Sequence, residues 1–121
     1  MGRLDEYLHA NRRKLRVGAW FCVVFLAYLS LIPGDRQVRT DLSGLLEHLV
    51  AYLGTAMLFA LSYPQKRLQI SLALVAYAGV LETLQAFSPG RTANPLDACA
   101  SGTGAVLGVV AVIWLTRRPV R

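Results

Sequence analysis

The sequence predicts an all-α integral membrane protein: a four-helix, up-down-up-down bundle with both termini on the cytoplasmic side. Its 121 residues are 55% apolar, and the mean hydropathy is +0.43. A soluble domain this small has too much surface for its volume to bury so much apolar area, whereas lipid solvates outward apolar faces. Four apolar runs stand at 17–33, 43–63, 68–87 and 97–115. Each spans about 25–32 Å as a helix, matching a hydrocarbon core of about 30 Å. The basic residues fall in short clusters between these runs, as they do in membrane proteins.

The first run follows Arg12, Arg13, Lys14 and Arg16, a charged prelude that would suit a signal peptide. It ends Tyr28-Leu29-Ser30-Leu31-Ile32-Pro33 with no small-x-small cleavage pattern, so a retained helix is expected, stopped by Pro33-Gly34-Asp35. Residues 1–16 read as a cytoplasmic basic tail. It is either a short amphipathic helix, with Leu4, Tyr7, Leu8 and Leu15 toward lipid, or frayed chain. Pro64-Gln65-Lys66-Arg67 ends the second run and Ser88-Pro89-Gly90 the third. Asn94 followed by Pro95 supplies an N-cap and a first helical position for the fourth. The transmembrane domain is therefore placed at 17–116, with 117–121 as a second basic tail.

Orientation follows from charge. Five basic residues precede the first run, two lie in the 64–67 turn and three at the C-terminus, against Arg36, Arg39 and Arg91 on the other side. Ten against three puts both termini in the cytoplasm of a bacterial inner membrane. The net charge of +6 forms no stripe interleaved with aromatic residues, which excludes a nucleic-acid surface. Cys22 and Cys99 fall at opposite ends of the bundle, beyond the roughly 7 Å between Cα atoms that a disulfide tolerates. No CxxC spacing or histidine cluster marks a metal site, and no cofactor is expected.

On this topology the polar residues converge at the outer end. Glu47 and His48 lie in the first turns of the second helix, Glu82 and Gln85 in the last turns of the third. Arg91 lies in the following loop, and Asp97 opens the fourth helix. His48 and Tyr52, and Asp97 and Ser101, are spaced i,i+4, while Glu82 and Gln85 are i,i+3, so each pair shares one helix face. Ionisable groups facing lipid are costly, so these faces should turn inward. Ala100, Gly104 and Gly108 form a small-xxx-small strip that admits a neighbouring backbone.

Glu82-Thr83-Leu84-Gln85-Ala86-Phe87-Ser88-Pro89-Gly90-Arg91, then Asp97, Gly104 and Gly108, with His48 and Tyr52 upstream, resembles the signature of VanZ-like membrane proteins. The resemblance covers about residues 43–108. The named member of that family is associated with teicoplanin resistance; the family's biochemical activity is not settled. Two positions depart: Gly44 and Leu45 stand where the family often has Asp-Lys, and Ser101 where it often has Asn. No role for an Asp-Lys pair is carried over.

Each residue also has a bland account. Asp97 and Glu47 complement helix dipoles, each contribution under about 1 kcal/mol. His48 alone is commonly a packed interfacial histidine, and Arg91 an exposed loop cation. Glu82 lies roughly 7 Å inside its helix end and needs relief, for which Arg91 is the expected partner. The two accounts of this region are a structural Glu82–Arg91 clamp and an outward pocket binding or modifying an anionic lipid headgroup or lipid-linked envelope precursor. In the pocket, His48 and Glu82 are candidate acid and base, with Tyr52, Gln85, Arg91, Asp97 and Ser101 binding and orienting. Whether the protein is an enzyme stays open. The rivals are a transporter, which needs its carboxylate near midplane, and an assembly protein held to partners by the glycine strip.

Overall fold

The computed structural model describes residues 2–37 and 43–117. Those residues form four helices and no strand: α1 (Arg3–Leu31), α2 (Gly44–Ser62), α3 (Arg67–Gln85) and α4 (Pro95–Thr116), with a short 3₁₀ turn at Gly34–Arg36. All four helices are long and apolar enough to cross a membrane. This is the architecture of a helical membrane protein. Arg39, Asp41 and nearly all of the expected 117–121 tail lie outside the described residues.

The helix starts follow local chemistry. Ser43 Oγ accepts from the Leu46 N–H at 3.3 Å, and Asn94 Oδ1 accepts from the Leu96 N–H at 3.0 Å with Pro95 behind it. Helix α1 is the one whose extent differs from the hydropathy reading. Residues 3–16 join the first apolar run in a single helix of 29 residues, rather than forming a separate amphipathic element or frayed chain. No glycine or proline interrupts Arg3–Val17, most of its residues are good helix formers, and Asp5 and Glu6 complement the dipole in the first turn. Hydropathy marks what lipid accepts; propensity carries the helix past that limit.

Helices α2 and α4 are the closest pair. Gly104 lies against the Leu49 carbonyl, and a Cβ there would strike that backbone oxygen. At Gly108 a Cβ would collide with the Leu53 carbonyl and come within 2.9 Å of the Ala56 Cβ. Ala56, Ala60, Ala105 and Val112 complete this dry seam. The strip on α4 is thus filled by α2 of the same chain, with half-buried Ala100 one turn above it. An assembly role resting on that strip loses its docking face.

Helix α1 is peripheral. It buries only Ala19, Leu26 and Ser30, a single face, and leaves Val17, Phe21, Val24 and Phe25 exposed toward what lipid would cover. Its C-terminal end is tied to the far loop. Ser88 Oγ donates to the Leu31 carbonyl at 2.8 Å, and the Gly34 N–H donates to the Pro89 carbonyl at 2.8 Å. Gly90 has φ +72°, and the Arg91 N–H donates back to the Ser88 carbonyl at 3.2 Å; proline then glycine at the centre is the chemistry of a type II turn. A Cβ on Gly34 would overlap the Gly90 backbone, so the two Pro-Gly turns meet main chain to main chain. At the opposite end, the Arg67 guanidinium donates to Thr116 Oγ1 at 3.0 Å and to the Ala60 carbonyl at 3.5 Å. That ties the start of α3 to the ends of α2 and α4.

Candidate functional site

His48 is the hub of the polar end. Its Nδ1 lies 3.1 Å from Ser101 Oγ, and its Nε2 lies 3.8 Å from Asp97 Oδ2. Both partners come from the face of α4 that the i,i+4 spacing predicts. The serine contact is a hydrogen bond whose donor depends on the ring tautomer. The aspartate contact is too long for one and becomes an ion pair only when the ring is protonated. Ser101 is fully buried, whereas His48 and Asp97 are 24% and 22% exposed.

A cavity of about 100 Å³ opens on the other side of His48. Helix α1 contributes Leu26, Leu29 and Ser30, and α2 contributes Glu47, His48, Ala51 and Tyr52; Gln37 and Arg91 come from the two turns. Arg91 reaches the cavity because the turn at Gly90 brings the loop back onto the end of α1. Its Nη1 is buried and has no hydrogen-bond partner among the described residues. A guanidinium nitrogen that is neither solvated nor paired is costly, and a planar fork suits carboxylate or phosphate oxygens. Glu47, expected as a dipole complement, lines the same cavity and is itself engaged.

The predicted site residues therefore separate into three groups. His48, Tyr52 and Arg91 meet in the cavity. Asp97 and Ser101 hold His48 from α4. Glu82 and Gln85, at 7% and 3% exposure, are buried in the last turn of α3 and do not line the cavity. Ser30 and Gln37 belong to the cavity but carry no motif. Ser30 sits one turn from buried Leu26 on the same face of α1, a spacing that could have revealed it; nothing in the sequence singles out Gln37.

The expected Glu82–Arg91 clamp is not what relieves Glu82. Among the described residues no ion pair joins them; Glu82 Oε1 instead accepts the Asn94 backbone N–H at 2.5 Å. The physical reason lies in the N-cap. Asn94 has extended backbone angles, so its N–H stands outside the α4 ladder and points back at the end of α3. A bond to main chain replaces the expected side-chain pair. Glu82→Gln keeps an acceptor and should cost at most about 1 kcal/mol, whereas Glu82→Leu strands the Asn94 N–H and should cost about 1–3 kcal/mol. Unfolding of the purified variants in mixed micelles measures both.

Chemically, the cavity offers a cation, an imidazole, a phenol, a hydroxyl and an amide against an apolar wall, together with the carboxylate of the engaged Glu47. Ser101, His48 and Asp97 resemble the members of a hydrolytic triad, but the Ser101 hydroxyl is sealed between α2 and α4 and cannot reach a substrate in the cavity. Among the described residues no group of three or more His, Cys, Asp or Glu gathers to hold a metal ion. Cys22 and Cys99 are free thiols. No family model, no curated protein and no solved structure matches this chain.

Proposed function

We propose that this membrane protein binds a small anionic group, the phosphate or carboxylate of an envelope lipid or lipid-linked precursor, in the cavity at its polar end. The observation that carries the proposal is Arg91, which lines the cavity with His48 and Tyr52 and whose buried Nη1 has no hydrogen-bond partner among the described residues. Size narrows the ligand. A cavity of about 100 Å³ takes a phosphate-sized group and leaves any sugar or peptide portion outside. Leu26 and Leu29 give it an apolar wall on the side of peripheral α1, which suits a ligand entering from lipid. The resemblance to VanZ-like proteins adds glycopeptide susceptibility as the first phenotype to assay. Among the described residues the carboxylate lining the cavity is Glu47, which is already engaged, so binding is the part of the reading that the geometry supports.

Mass spectrometry of lipids retained on the detergent-purified protein tests this. One phosphate- or carboxylate-bearing lipid should co-purify with wild type and be lost from Arg91→Gln. Identical lipid profiles for the two proteins would remove the proposal.

The positive-inside bias supports a polar end that faces outward, with both termini cytoplasmic. Thr92 is exposed beside the site and does not line it. In a Cys22→Ala, Cys99→Ala background, Thr92→Cys should react with an impermeant maleimide on intact spheroplasts. Reaction only after lysis would invert the orientation and close the cavity to extracellular ligands.

A further inference from the structure

The opposite, basic end of the bundle holds a larger groove, about 370 Å³, which lies in the range of small-molecule sites, about 300–1,000 Å³. Helices α1 and α3 form its walls and α2 its floor. Val23, Phe59, Ile70, Ala73 and Leu74 make it apolar along most of its length. Its polar groups belong to Tyr63, Lys66, Gln69, Tyr77 and the indole of Trp20. Two of them are already engaged: Tyr77 donates to the Val23 carbonyl at 2.6 Å, and Trp20 Nε1 donates to the Tyr63 hydroxyl at 3.1 Å. Trp20 also packs edge-on against Phe59, with ring centroids 5.2 Å apart, so the rim is fixed. Tyr63, as acceptor, keeps its own O–H to donate.

Charge stands at one end of this groove. Lys66 lines it and is exposed, and the Arg16 guanidinium lies 4.6 Å over the Tyr63 ring. Arg12, Arg13 and Lys14 lie within about a turn of Arg16 along the continuous helix α1. Arg67 does not contribute, because its guanidinium is turned to Thr116 and Ala60. We propose that this groove is a binding site for an anionic phospholipid, with an acyl chain against Val23, Ile70 and Leu74 and the phosphate between Lys66, Arg16 and the Tyr63 hydroxyl. Basic pockets between membrane helices recognise acidic headgroups in this way. A second copy of the chain fits the same groove poorly, because docking there would bring two Arg12–Arg16 clusters together. The site is separate from the Arg91 cavity and stands or falls independently of it.

Native mass spectrometry of the detergent-solubilised protein, offered equal phosphatidylglycerol and phosphatidylcholine, tests the proposal. Wild type should retain phosphatidylglycerol preferentially. Lys66→Gln should cut that preference about fivefold, the worth of one cation near a phosphate, and Lys66→Arg should restore it. Ala73→Trp should fill the groove and lower retention of that lipid, with thermal unfolding confirming that each variant is folded. Equal retention of the two lipids by wild type, or a preference indifferent to Lys66→Gln, overturns it. So does protection by inorganic phosphate alone. A disulfide between copies through Ala73→Cys in a bilayer would assign the groove to self-association instead.

Discussion

Arg91→Gln should weaken anion binding in the polar cavity by about ten- to a hundredfold, the size of one or two hydrogen bonds between charged groups. Titration of the purified protein with the lipid identified as its ligand gives this ratio directly. Arg91→Lys should recover only part of the loss, because an ammonium cannot present two parallel donors to an oxyanion. The fold should not register either change. The turn that carries Arg91 is set by Gly90 and by main-chain bonds to Ser88 and from Gly34, and among the described residues the Arg91 Nη1 has no partner that would hold it. Melting should therefore stay near wild type. Asp97→Asn should behave similarly, losing function with little loss of stability, since it sits partly exposed and beyond hydrogen-bond distance of His48. Gln85→Ala should not. Gln85 is buried in the last turn of α3, and its truncation leaves a void under the loop. If Arg91→Gln binds like wild type, the cavity is not an anion site.

The largest stability effect is expected at Gly104. Gly104→Ala adds one methyl group, yet that methyl meets the backbone carbonyl of Leu49, which cannot swing aside as a side chain would. Alanine is the better helix former by about 1 kcal/mol, so an open site would gain from the change. Gly54 and Gly79 provide that control, because nothing lies within 4 Å of a Cβ at either. Gly54→Ala and Gly79→Ala should stabilise by up to about 1 kcal/mol, while Gly104→Ala should destabilise by about 1–3 kcal/mol and Gly104→Leu by more. Opposite signs for the same chemical change in one detergent-unfolding series would show that helix separation, rather than helix propensity, governs this seam. If Gly104→Ala also stabilises, α2 and α4 do not approach as closely as described.

Features written in one element's own periodicity were legible. The apolar runs located α2, α3 and α4 to within a few residues, and the i,i+4 spacing of Asp97 and Ser101 put both on one face of α4, which is the face that meets His48. The Asn94-Pro95 cap was equally plain, because capping depends only on neighbours. What could not be read was chemistry shared between main-chain groups far apart. The donor to Glu82 is a backbone N–H, which every residue but proline carries, so no side-chain identity announces it. Gly34 and Gly90 each read as an ordinary turn glycine; the positive φ of Gly90 accounts for one, but only the approach of the Gly90 backbone explains why Gly34 must lack a Cβ. The start of α1 was hidden differently: charge hides residues 3–16 from a hydropathy search while leaving their helix propensity intact.

The joining of the two Pro-Gly turns bears on the order in which the protein is made. The cavity draws most of its walls from α1 and α2, which leave the ribosome before α3, but Arg91 is synthesised only after α3. The main-chain bond from Gly34 must therefore wait for Pro89, and the imidazole of His48 for Ser101. A nascent chain stopped after α2 carries an imidazole and a phenol with no cation between them. If the cavity binds an anion as proposed, capture needs the segment through α4, and fragments ending after α2 should retain none of the ligand.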